Sequence, residues 1–190
     1  MALFLTAAAS PRQSDEAARR ANELSVAGLR PGRDALTDAF KRYKQKYLSS
    51  ETGTLNLREW RDTCTGRALV IDVDARLTIQ EITVSSLRPQ EGKCDDRRFE
   101  ALNLKGWITG RGLRIGDSRD RVIDLYGEPN SSGPAVKQSH ELELLEFSFG
   151  WAGREVPQAM QIYCERETGR VVEITLANSS PGQTTRDKDP

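Results

Sequence analysis

Apolar and polar residues alternate in several stretches of this chain. Ile71 and Val73 alternate with Asp72 and Asp74, and Ile82 and Val84 with Glu81 and Thr83. Later, Ile162 and Cys164 alternate with Gln161, Tyr163 and Glu165, while Ile174 and Leu176 alternate with Glu173 and Thr175. Successive side chains on a strand point to opposite faces, so each run predicts a strand with one apolar and one polar face. Strands are expected near 55–61, 68–74, 78–85, 141–151, 157–165 and 170–177. Two stretches have helical spacing instead: Leu36, Ala39, Phe40 and Tyr43, then Val122, Leu125 and Tyr126. Asp34 suits the first helix as a cap or first-turn acid, and Ser118 suits the second as a cap. Gly127-Glu128-Pro129 ends the second helix. The Ala-rich residues 10–24 predict a lead-in helix, and 130–140 a polar loop.

The chain repeats itself. Gly28-Leu-Arg-Pro-Gly-Arg-Asp-Ala-Leu-Thr-Asp-Ala-Phe40 matches Gly112-Leu-Arg-Ile-Gly-(Asp-Ser)-Arg-Asp-Arg-Val-Ile-Asp-Leu-Tyr126. With the bracketed pair treated as an insertion, seven of thirteen positions are identical, and Leu36 faces Val122 as Phe40 faces Tyr126. Glu81-Ile-Thr-Val84 likewise matches Glu173-Ile-Thr-Leu176. A duplicated unit governs architecture before local detail does. The division expected is a signal remnant and lead-in helix (1–24), module one (25–88), a linker (89–105), module two (106–178) and a disordered tail (179–190). The fold class is α+β: two tandem modules, each a helical pair packed on one face of a small antiparallel sheet. The other face of each sheet is left open and is acidic, with Asp72, Asp74, Glu81, Glu165 and Glu173.

Composition narrows the function. The 190 residues hold 28 basic and 28 acidic side chains, so the basic footprint of a nucleic-acid binder is absent. Lys41-Arg-Tyr-Lys-Gln-Lys46 follows a helix and reads as a cationic helix end. No run is long and apolar enough to span a membrane. Ala7-Ala8-Ala9 after a short apolar stretch resembles a signal-peptide cleavage pattern, and export, periplasmic or secreted, is expected from it. Of three cysteines, Cys64 and Cys94 are expected to form a disulfide, and Cys164 to be buried and free. Metal binding is the weaker alternative, because no Cys-x-x-Cys occurs and His140 is the sole histidine.

Gly116, Ser118, Val122, Gly127 and Pro129 resemble the signature Gly-x-[Ser/Thr]-x-x-x-Val-x-x-x-x-Gly-x-Pro of a small lipoprotein module of the outer-membrane barrel-assembly machinery. In tandem, that module makes the beta-lactamase inhibitory proteins. Gly169-Arg-Val-Val-Glu-Ile174 is similar to the family's closing strand. The first copy lacks the Gly-x-Pro, no lipobox cysteine lies near the N-terminus, and the second copy has only Cys164. The resemblance implies helices on a small antiparallel sheet and non-catalytic protein binding in or outside the envelope. It does not carry over a target, since sites rather than folds determine function.

Candidate chemistry is thin. Gly116-Asp117-Ser118 mimics an esterase block, but His140 lacks the context of its base. The glycines at 106, 110, 112 and 116 match neither dinucleotide fingerprint nor P-loop. Asp72-x-Asp74 departs from a calcium loop at Arg76 and Leu77. No cofactor or metal is expected. Amphipathic aromatics on an open face make good anchors. The residues expected to bind a protein partner are therefore Trp60, Asp72, Asp74, Tyr163, Glu165 and Glu173. The expected function is a non-catalytic, inhibitor-like or envelope-interaction module. The alternatives are a structural or assembly factor of the bacterial envelope and, behind it, a small hydrolase.

Overall fold

The computed structural model describes residues 22–43, 48–49, 57–62, 64–90, 106–149 and 159–178. The element order is α1 (Leu36–Arg42), β1 (Leu48–Ser49), β2 (Leu57–Asp62), β3 (Arg67–Val73), β4 (Ile79–Ser85), α2 (Arg119–Tyr126), β5 (Ser131–Lys137), β6 (His140–Ser148), β7 (Ala159–Glu165) and β8 (Val171–Ala177). All strands join one antiparallel sheet in the order β1-β2-β3-β4-β8-β7-β6-β5.

The expectation of two tandem modules is overturned. β4 pairs with β8 from Glu81↔Ala177 to Ser85↔Glu173, so the sheet runs unbroken from one half of the chain to the other. A single cluster of buried side chains draws on both halves, including Tyr43, Trp60, Leu69 and Ile82 with Trp107, Phe147, Ile162 and Ile174. Among the described residues each half contributes one short helix rather than a helical pair. The physical reason lies at the strand edges. Separate sheets would expose the unpaired amides and carbonyls of β4 and β8, and joining them satisfies both.

Strand parity assigns the core face correctly: Ile71, Val73, Ile82, Val84, Ile162, Cys164, Ile174 and Leu176 are all buried in that cluster. Cys164 is a free thiol there, and burial pushes it up to about 11.

The repeated Gly-Leu-Arg-x-Gly makes the same turn twice. Gly32 and Gly116 have φ of 80° and 93°, a region that glycine enters without steric cost. Each donates its N–H to the first residue of a closing strand, Gly32 to Ile79 O and Gly116 to Val171 O, both at 2.7 Å. Asp34 and Asp117 both accept from the turn's arginine N–H at 2.9 Å and both return a carbonyl to the strand. Asp34 is therefore a turn residue, and α1 starts one residue after Ala35. These contacts correct the sequence alignment. Asp34 corresponds to Asp117, so the extra residue is Arg33 in the first copy, and Tyr43 rather than Phe40 answers Tyr126. Ser118 caps α2 by accepting from Arg121 N, and Gly127 at φ 75° ends it.

Asn22–Ser25 carry no helix, and the rest of the expected lead-in helix and signal remnant lies outside the described residues, as do most of the linker and the tail. The expected loop over 130–140 is instead β5, a two-residue turn at Gln138–Ser139, and the start of β6.

Candidate protein-binding face

The sheet's second face, opposite the main core, was expected to be open. Part of it is covered. Residues across one register row, Ala68, Ser85, Glu173 and Tyr163, are all buried. Among the described residues, two pieces of chain cover them. The segment after β4 crosses the face: Ser86 N donates to Val172 O, Arg88 N to Gly66 O, Arg61 Nη2 to Pro89 O, and Arg88 pairs with Glu59 at 3.0 Å. Gly66 permits that approach, since a Cβ there would sit 2.3 Å from Arg88 O. The second piece is the β5–β6 hairpin tip. Lys137 pairs with Glu173 and lies 3.8 Å from the centre of the Tyr163 ring. The Gln138 amide rests against Leu87 O and the Arg88 guanidinium. In a flat sheet β5 would stand about 14 Å from β8, beyond the combined reach of these side chains in the sheet plane, so the hairpin curls over the face. Beneath it Leu87, Leu142 and Tyr163 form a second apolar cluster with Ala135, Leu144 and Val172.

The expected anchors therefore separate. Trp60 is fully buried in the main core, tilted against Phe40 at 6.0 Å and Tyr43 at 5.8 Å. Tyr163 and Glu173 lie under the hairpin, each 7 % exposed. Asp74 holds its own turn, accepting from Arg76 N, Thr78 N and Gln80 Nε2. Glu165 accepts from Thr168 Oγ1 at the β7–β8 turn. Among the described residues there is no disulfide: Cys64 is a free thiol, and Cys94, its expected partner, lies outside the described residues.

Asp72 and Glu81 lie farther along the same face, on a row whose Ala177 and Ala159 are also buried. They sit directly opposite each other on β3 and β4, and both are partly exposed. Burial, only partly offset by a hydrogen bond from the Val73 backbone, raises Asp72 above the ordinary carboxylate value. Burial raises Glu81 too, and the charges of Asp72 and Glu173 add to it against the pull of Lys137. Neither acid forms an ion pair among the described residues, whereas Glu59, Glu143 and Glu173 each have a cation. Beside them Thr83 and Thr175 share a 2.8 Å hydroxyl contact across the β4–β8 seam.

Sequence reasoning missed Lys137, Arg88 and Gln138. Their role depends on the hairpin's curl, which no local pattern encodes. Lys137 is pulled down by burial, but Glu173 and Tyr163 outweigh that, and the net direction is up. It is a held cation, not a reactive amine. His140 is exposed at the far side of the same turn, directly across from Lys137. Ser118 and Asp117 are occupied by cap and turn hydrogen bonds. No group of three or more His, Cys, Asp or Glu side chains among the described residues is arranged to hold a metal.

No family's sequence model matches the chain, and no curated protein does. Solved structures overlap it in part. One is a DUF4309 family protein, YjgB, from Bacillus subtilis, at TM-score 0.44 and 12 % identity over 82 % of this chain and 87 % of that one. Another is the cysteine-rich secretory protein SAV1118 from Staphylococcus aureus, at TM-score 0.43 and 10 % identity, covering 84 % of this chain and 48 % of that one. A third is a Streptococcus mutans protein provisionally assigned as a beta-lactamase inhibitor, at TM-score 0.27 and 14 % identity over 82 % of this chain and 89 % of that one. The functional reading rests on this chain's own residues.

Proposed function

We propose that this chain is a non-catalytic protein-binding module. Its binding element is the partly exposed acidic strip of β3 and β4, and its partner presents a lysine or arginine there. The observation that supports the reading is the Asp72–Glu81 pair. Like charges placed directly opposite on neighbouring strands destabilise a sheet, here in a half-buried setting where no cation among the described residues forms an ion pair with either. A cation from a partner would relieve the repulsion and gain a charge-assisted hydrogen bond in return. The tandem inhibitor and lipoprotein resemblance is compatible with this role but supplies no target. Export belongs to the proposal on the Ala7–Ala9 pattern, and fractionation of producing cells checks it.

The variant Asp72→Asn/Glu81→Gln tests the strip. It should be more stable than wild type at pH 7 by roughly 0.5–1 kcal/mol in urea titration. It should also lose, in salt-sensitive pull-downs from the native envelope, a partner that wild type retains. An unchanged set of partners would sink the reading. The stability gain has a pH signature. A carboxyl raised in the folded state stabilises that state below its unfolded value, and the contribution is lost as pH rises through its folded value. The gap between variant and wild type should therefore close as pH falls into the carboxylate range.

A further inference from the structure

Glu23 is 1 % exposed, and five donors converge on its carboxylate. Oε1 accepts from Leu24 N at 2.8 Å, Ser25 N at 3.1 Å and Gly110 N at 3.0 Å. Oε2 accepts from Arg111 N at 3.0 Å and the Tyr126 hydroxyl at 2.7 Å. Three of the five come from the far half of the chain, and they divide between the two oxygens as a planar carboxylate requires. Tyr126 is polarised toward the site. Leu113 N donates to Thr109 Oγ1, which lies 2.8 Å from the Tyr126 hydroxyl, so a relay of donors ends on Oε2. The Arg111 guanidinium lies 5.4 Å from the centre of the Tyr126 ring. Gly110 leaves the room: a Cβ there would stand 2.6 Å from Oε1. The first half builds no such site at the matching place, because the Tyr43 hydroxyl donates to Ala27 O at 2.5 Å.

We infer that Gly110, Arg111 and Tyr126 form a carboxylate-receiving site whose occupant, Glu23, is supplied by the chain itself. The segment carrying Glu23 lies beside 108–110, with Gly110 N donating to Ser25 O, Ala27 N donating to Ile108 O and Val26 bridged to Thr109. The docked occupant is thus an acidic side chain on a segment bridged to the 108–110 backbone. Any event that withdraws residue 23 turns the place into a binding site for a carboxylate from elsewhere.

Chemical rescue of the full-length Glu23→Ala variant tests this. All five donors lose this acceptor, with Gly110 N keeping only Ser25 O, and the melting temperature should fall by roughly 5–10 °C. Acetate should recover a large part of that loss, while chloride and phosphate at equal ionic strength should not. Adding Tyr126→Phe should weaken the recovery. Glu23→Gln, which keeps the place filled, should lose less and gain nothing from acetate. Equal acetate shifts in wild type and Glu23→Ala, or a phosphate effect as large as that of acetate, would overturn the site. If Glu23→Ala does not fold in chloride, refolding becomes the readout. Recovery of cooperatively melting protein only in acetate supports the inference, and equal failure in both salts refutes it.

Discussion

Trp60 joins α1 to the sheet, with Phe40 on one side and Tyr43 on the other. Replacing it with alanine removes the largest fully buried side chain of the core, and urea unfolding should show a loss of about 3–5 kcal/mol. A change near zero would mean that the ring is not packed as described. Its placement was hard to read because its same-face neighbours on β2, Arg58 and Asp62, are charged, so no apolar run announces the inward side. Alternation elsewhere gave the core face directly, since each buried position had a second apolar residue two along. Glu23 was unreadable for a different reason: three of its five partners stand 87 to 103 residues away, and four of the five are backbone amides, which every sequence has everywhere.

Among the elements, β5 departs most from expectation. Ser131–Lys137 contains Gly133 and Pro134, is largely exposed, and leaves Val136 72 % accessible. An edge strand does not need an apolar face, so it lacks the alternation by which strands are recognised. Gln138 and Ser139 have φ of 49° and 66°, the turn geometry usually signalled by Asn-Gly. Because that turn makes Lys137 and His140 the first bonded pair, the backbone of even-numbered β5 residues faces outward. Pro134 therefore stands where a second chain would seek an amide, and proline there guards the edge. Pro134→Thr should leave thermal stability nearly unchanged but produce concentration-dependent association in size-exclusion chromatography. A variant that stays monomeric at every concentration would remove that role from the proline.

At the scale of the molecule, one sheet and one core predict one unfolding event. Heat denaturation followed by backbone and aromatic signals should give coincident transitions. Two separated transitions would restore independent halves. The repeat pointed to two equivalent units, and their turns are indeed alike. What it could not show is which edges meet, because β4 and β8 carry the same Glu-Ile-Thr pattern whether they pair with each other or with solvent. That seam also carries a kinetic consequence. Thr83 and Thr175 touch across 92 residues of chain, whereas neighbouring strands within each half are joined by short connections. Loop-closure entropy rises with the length enclosed, so the hairpins of each half close at low cost and the central ladder bears the largest entropic barrier. The middle of the finished sheet is the part that must be assembled last.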